Sequence, residues 1–114
     1  MTKMYIVYLF VNKKLKISEG KSMSQSFHCA VELYKNLEEQ DYRCKERFIK
    51  WSNEGHKTVV LTATENEMYC LEENFRSVKI YDAGRTEVES GTFTMLALYP
   101  NKFDKNEFTQ FKLK

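Results

Sequence analysis

Residues 4–11 read Met4-Tyr5-Ile6-Val7-Tyr8-Leu9-Phe10-Val11, the longest apolar run in the chain. It is far shorter than the roughly 20 residues needed to span a bilayer. A half-exposed strand alternates apolar and polar residues, and this run does not. It therefore suits a strand covered on both faces. The rest of the chain must supply the two covering layers.

Moving outward, Asn12 to Gly20 is polar and basic and reads as a loop. Ser18 is a candidate N-cap for a helix over about 19–39. On that helix Met23, Phe27, Ala30, Tyr34 and Leu37 recur at helical spacing and form the expected core face. Lys21, Gln25, His28 and Glu32 repeat the spacing two residues out of phase, which puts this polar stripe on the opposite side. Asp41 can cap a second helix running to about Glu54, with Cys44, Phe48, Ile49 and Trp51 inward and Gly55 as its stop.

Lys57 to Ala63 reads as a second strand. Thr64-Glu65-Asn66-Glu67 matches a capping box and opens a short helix to about Phe75, with Met68, Leu71 and Phe75 as its apolar side. Ser77 to Asp82 is a third strand, Arg85 to Gly91 a polar loop, and Thr92 to Tyr99 a fourth strand closed by Pro100. One helical turn is expected after Asp104. Strands alternating with helices give an α/β fold with a layered sheet. At 114 residues, with no repeat or linker, residues 1–114 make a single domain.

Composition narrows the function. The net charge of +2 does not by itself announce a nucleic-acid binder. The charge is clustered, however. Lys13, Lys14 and Lys16 stand just before Lys21, and Arg43, Lys45, Arg47 and Lys50 crowd a second segment. Such clusters can hold phosphates, or simply form a solvated face. Cys29, Cys44 and Cys70 form no Cys-x-x-Cys pair, so neither a metal site nor a disulfide framework is indicated. They read as small buried residues in a reduced, cytoplasmic setting. No signal peptide or membrane span is expected.

Two local patterns carry chemistry. Val78-Lys-Ile-Tyr-Asp82-Ala-Gly84-Arg85-Thr86 ends a strand on a carboxylate, turns at a glycine, and presents a guanidinium and a hydroxyl. Ligands of open α/β sheets bind beyond strand carboxyl ends, although so short a run also occurs as an ordinary charged turn. Lys21 sits in the first turn of its helix, where the helix dipole is already positive. A cation there makes sense if it meets an anion or a developing oxyanion; otherwise it is a solvated lysine. No phosphate loop, His-Glu-x-x-His or Gly-x-Ser-x-Gly pattern is present.

Taken together, Gly20-Lys21-x-x-x-Gln25-x-x-His28-x-Ala30-Val31, Trp51-x-x-x-Gly55-x-Lys57-x-Val59-Val60-Leu61 and Asp82-Ala-Gly-Arg-Thr86-x-Val88-x-x-Gly91-Thr92-x-Thr94-x-Leu96-Ala97 resemble the type II peptidyl-tRNA hydrolase family. The resemblance implies a single α/β domain of three layers, with a four-stranded mixed sheet flanked by helices, usually as a homodimer. It implies hydrolysis of the ester between peptide and tRNA, with peptidyl-tRNA as partner and no cofactor or metal. It assigns catalysis to Lys21, Asp82 and Thr86, and substrate binding to Gln25 and His28. Arg85 either touches substrate or braces its loop. A non-catalytic RNA- or protein-binding member of the same fold is the alternative.

The chain departs from the family at two places. The residue before the motif histidine is usually Ser or Ala and here is Phe27, which the helical pattern places in the core. The usual Arg-x-Asp at the end of the first strand is replaced by Asn12-Lys13-Lys14, a basic loop suited to phosphate.

Overall fold

The N-terminal apolar run does form the strand around which the fold is organised. A computed structural model describes residues 4–15, 18–81 and 91–114. Strand β1 (Val7–Asn12) is followed by α1 (Glu19–Lys35), a 3-10 turn (Leu37–Glu39), α2 (Tyr42–Asn53), β2 (Thr58–Ala63), α3 (Glu65–Asn74), β3 (Ser77–Tyr81) and β4 (Phe93–Leu98). The strands form one sheet in the order β2-β1-β4-β3. β1 runs parallel to β2 and antiparallel to β4, and β3 is antiparallel to β4, so the sheet is mixed.

Every residue of β1 is buried, as the missing alternation requires. Val7, Leu9 and Val11 join Cys29 and Leu33 of α1 and Cys44 and Trp51 of α2 in one core. Tyr8 and Phe10 point the other way, into a core with Met68 and Leu71 of α3 and Phe103 and Phe108 of the C-terminal segment. The result is three layers: α1 and α2, the sheet, then α3 with the aromatic tail.

The helix boundaries follow their caps. Ser18 Oγ accepts from the Lys21 N–H at 3.1 Å, and Asp41 Oδ1 accepts from the Cys44 N–H at 2.9 Å. The capping box is complete: Glu67 N–H donates to Thr64 Oγ1 at 3.1 Å, and Thr64 N–H donates to Glu67 Oε1 at 2.8 Å. Gly55 ends the α2 segment with φ 105°, a left-handed conformation that glycine adopts without strain. The expected first helix is cut at Asn36, whose Nδ2 donates to the Glu32 carbonyl at 2.9 Å, and it resumes only as the 3-10 turn.

After Asp104 the backbone makes turns rather than a helix, and its last residues then line the outer edge of β2. Thr62 N–H donates to the Lys112 carbonyl at 2.8 Å and Lys114 N–H to the Val60 carbonyl at 3.0 Å. The tail thus satisfies an edge that would otherwise present open backbone groups.

The face of α1 is inverted relative to the sequence pattern. Met23, Phe27, Ala30 and Tyr34 are exposed and Leu37 only half-buried, whereas Gln25, Cys29 and Leu33 are buried. The helix turns small side chains, Ser22, Ser26 and Cys29, toward the sheet, so its backbone can lie close to β3 and β4. The tyrosine hydroxyl of Tyr99 donates to the Leu33 carbonyl at 2.9 Å and holds that approach. Two further expectations are corrected. Ile49 is exposed, because Cys44 and Trp51 alone take the fully buried face of α2. Cys70 is exposed on α3, whose inner face is filled by Met68 and Leu71.

Burial pushes the Cys29 thiol up to about 12, with Glu32 adding to the effect. Burial likewise raises the Tyr99 phenol to about 12, helped by negative charge on Cys44, Glu39 and Glu32. Both groups are neutral in the fold and, once unfolded, ionise near their ordinary values of 9.0 and 10.0. Because the folded values are raised, the stabilisation is complete below the unfolded values and is lost as pH rises toward the folded ones. From neutral pH upward the melting temperature is expected to hold to pH about 9 and then to fall steadily toward pH about 12. Tyr99→Phe should make that fall shallower. Melting curves recorded across this range check it, and an unchanging Tm would contradict it.

Candidate active site

Of the sequence-assigned residues, Lys21, Gln25 and His28 are described. Asp82, Arg85 and Thr86 lie outside the described residues, as does Lys16 of the basic cluster. The direction of α1 sets where the described three stand. Gln25 lies against Thr94 at the start of β4, and Leu33 lies against Tyr99 just past its end. The helix therefore runs along β4 and against β3. Lys21, one turn before Gln25, is displaced toward the end of the sheet where β3 stops at Tyr81.

Lys21 occupies the third helical position after the Ser18 cap and is half-buried. Its ammonium adds to the positive end of the helix dipole, which makes this corner favourable for an anion. Beside it, Ser22 Oγ is buried with no hydrogen-bond partner among the described residues. His28 lies further along the same flank, half-exposed, with Nε2 3.7 Å from Glu32 Oε1.

Gln25 is the surprise of the helix. Although polar, it is only 7% exposed, and it is held against β4 by Thr94, which is wholly buried. The Thr94 hydroxyl donates to the Ile80 carbonyl at 3.1 Å and stands 3.4 Å from Gln25 Oε1. One hydroxyl has one proton, so the shorter bond dominates and the Gln25 contact is the weaker. The Gln25 amide nitrogen has no acceptor among the described residues.

The local backbone explains this arrangement. The ladder between β3 and β4 shifts register at Ile80/Tyr81, one residue before Asp82. Across from the shift, the consecutive residues Thr94 and Met95 both meet α1, Thr94 at Gln25 and Met95 at Ser26 (3.9 Å between Ser26 Oγ and Met95 Sδ). A bulge of this kind re-aims side chains and is common beside functional sites.

Asn12 was expected in a loop and instead closes β1, 2% exposed. Its Nδ2 donates to the Phe93 carbonyl at 3.0 Å, and its Oδ1 accepts from the Lys14 N–H at 3.1 Å. One amide thus ties the end of β1 to the start of β4 and turns the basic segment away from the sheet. Lys13 and Lys14 are exposed there. Neither Asn12 nor Thr94 stood out as a site residue. The available signal was a polar side chain inside or at the end of an otherwise apolar strand.

No group of three or more His, Cys, Asp and Glu side chains suited to a metal occurs among the described residues. No described helix is long and apolar enough to cross a membrane.

The family model described as "Peptidyl-tRNA hydrolase PTH2" matches residues 3–114. Among individual proteins, the chain is 31% identical over 110 residues to one named peptidyl-tRNA hydrolase from Methanococcus vannielii, covering 90% of each. It is 36% identical over 103 residues to one of the same name from Thermococcus onnurineus, covering 84% of each. A third, from Thermococcus sibiricus, is 37% identical over 103 residues with the same coverage.

Asn12→Ala is expected to leave the Phe93 carbonyl without its donor and to lower unfolding free energy by about 1–3 kcal/mol. Asn12→Asp should not rescue it, since a carboxylate cannot donate to a carbonyl. Urea denaturation of the three proteins tests this. A loss below about 0.5 kcal/mol, the range of an ordinary surface change, would refute the lock.

Proposed function

The chain belongs to the peptidyl-tRNA hydrolase PTH2 family, and from that membership we propose how it divides the labour of hydrolysing peptidyl-tRNA. The observation that carries the reading is the family match across residues 3–114. A non-catalytic binding role has no observation in its favour.

The reaction needs an activated water and a stabiliser for the tetrahedral oxyanion. Water adds to the carbonyl carbon of the ester while its proton passes to the Asp82 carboxylate. Lys21 meets the negative charge that develops on the carbonyl oxygen. The intermediate then collapses, the ribose oxygen leaves with the proton from Asp82, and peptide acid and free tRNA result. Thr86 holds the attacking water or the ribose hydroxyl. The Gln25 amide and His28 hydrogen-bond the acyl or adenosine end of the substrate, and Arg85 either touches the substrate or pairs with a carboxylate.

Three features support this division. Lys21 stands at a helix N-terminus, toward the end of the sheet where β3 stops at Tyr81. Gln25 is pre-positioned by its burial against Thr94. Lys13 and Lys14 are exposed nearby on the segment leaving β1, suited to phosphate contacts that position the acceptor stem without reading bases. We also assign the protein to translation in the cytoplasm and to a homodimeric state.

Lys21→Ala and Asp82→Asn are each expected to lower kcat on an N-blocked aminoacyl-tRNA by at least about 100-fold, with melting curves close to wild type. Gln25→Ala should act mainly on KM. Single-turnover deacylation assays measure all three. Near-normal rates in both Lys21→Ala and Asp82→Asn would overturn the assignment.

A further inference from the structure

The basic segment of α2 has no part in the chemistry above, and it stands at the other end of the sheet. Its Arg47 is half-buried and forms no ion pair among the described residues. With Arg76, Asn74 and Asn101 it lines a cleft of about 180 Å³, where α2 meets the residues just before β3 and just after β4. The described lining of that cleft holds no carboxylate. Arg76 donates from Nη2 to Asp41 Oδ2 at 3.0 Å and from Nη1 to Gln40 Oε1 at 3.2 Å. A guanidinium has five N–H donors, so Arg76 keeps three beyond these two bonds. Asn101 Oδ1 accepts from the Lys102 N–H at 2.8 Å, which leaves the Asn101 amide nitrogen as a donor.

Charge points to the kind of ligand. Asp41 is held below the ordinary carboxylate range first by the Cys44 N–H and then, against its desolvation, by the guanidiniums of Arg76, Arg47 and Arg43. Three guanidiniums thus face one carboxylate, which is already engaged as the cap of α2. Burial keeps the Cys44 thiol and the Tyr99 phenol beside them neutral. Lys102 adds a fourth cation at this end, its Nζ 5.1 Å from the centre of the Tyr5 ring. A surplus of guanidinium in a polar cleft suits a phosphate, which accepts paired N–H bonds from the arginine fork.

Position narrows the source of that phosphate. β3 is an outer strand of the sheet and joins the two ends: Arg76 immediately precedes it, and it closes at Tyr81, next to Asp82 in the chain. Five residue steps at strand spacing separate the cleft from the end of β3 by about 17 Å. Exposed Lys79 stands between. A nucleic-acid strand advances about 3.4 Å per nucleotide along its axis, so about five nucleotides cover the distance.

We propose that the Arg47–Arg76 cleft holds a backbone phosphate of the tRNA, about five nucleotides from the ester. This rests on the hydrolase reading above and adds an anchor remote from the reacting bond. Such a contact fixes the position of the substrate without reading its bases.

Affinity for deacylated tRNA, measured at several salt concentrations, tests it. Arg47→Gln is expected to weaken binding several-fold and to lower the slope of log K against log salt by about 1, the signature of one lost phosphate contact. Arg47→Lys should keep most of the slope, because it keeps the charge. Lys112→Gln removes the same charge at the opposite edge of the sheet, beside β2, and should leave the slope unchanged. In turnover of an N-blocked aminoacyl-tRNA, Arg47→Gln should raise KM several-fold and hold kcat. A slope indifferent to Arg47→Gln, with hydrolysis intact, would overturn the contact and leave the hydrolase standing. An altered slope in a protein that hydrolyses nothing would keep the contact and overturn the hydrolase. Shifts of the Arg47 side-chain NMR signal with inorganic phosphate, alongside tRNA binding indifferent to Arg47→Gln, would assign the cleft to a free phosphate and overturn the RNA contact.

Discussion

The fold depends on β1 being covered on both faces. A strand with no polar side until its last residue cannot lie on a two-layer protein without exposing Tyr8 and Phe10, or else Val7, Leu9 and Val11. The helical layer of α1 and α2 covers one set, and α3 with the phenylalanines of the C-terminal segment covers the other. The one polar residue of the strand, Asn12, comes where the apolar run ends, and there its amide fastens β1 to β4. The candidate site is built at that same end. Its position follows from where the buried strand stops.

Elements governed by local chemistry were readable in the sequence. Ser18, Asp41 and Thr64 each cap the helix their side chains can cap, because the preference depends on a few adjacent backbone groups. The run that forms β1 and the strongly β-prone run that forms β4 were similarly plain, and their order gave the α/β architecture. What the pattern misjudged was the orientation of α1. Ranking stripes by hydrophobicity favours Met23, Phe27 and Tyr34, but burial against a sheet also depends on how closely the backbone can approach. Ser22, Ser26 and Cys29 permit an approach that the bulkier stripe does not, and Gln25 is buried with them because Thr94 gives it a partner.

That inversion changes the meaning of two site residues. A glutamine on an outward stripe is a mobile side chain. A glutamine held against Thr94 is fixed in place, with little rotational freedom left to lose. Phe27 moves in the opposite sense. Where a core position would make it a packing variant beside the motif histidine, its exposure makes it part of the outer surface. The basic segment at Asn12-Lys13-Lys14 also resolves into two parts, a buried amide that holds the strands and exposed lysines that face solvent. Asp82 and Thr86 are read from their motif alone, since they lie outside the described residues.

The same helix therefore divides its surface into sectors. Its small side chains seat it on the sheet, its N-terminal flank carries Lys21 and Gln25, and its apolar stripe faces outward. These roles stay separate because each occupies its own sector of the helix.

The central claim is that the chain is a hydrolase acting on the peptidyl-tRNA ester. The most direct measurement is deacylation by the intact protein of an N-acetylated aminoacyl-tRNA beside the same tRNA with a free amino group. The account predicts turnover of the first and sparing of the second. Tight binding of either without cleavage, or equal cleavage of a simple acyl ester lacking tRNA, would contradict it.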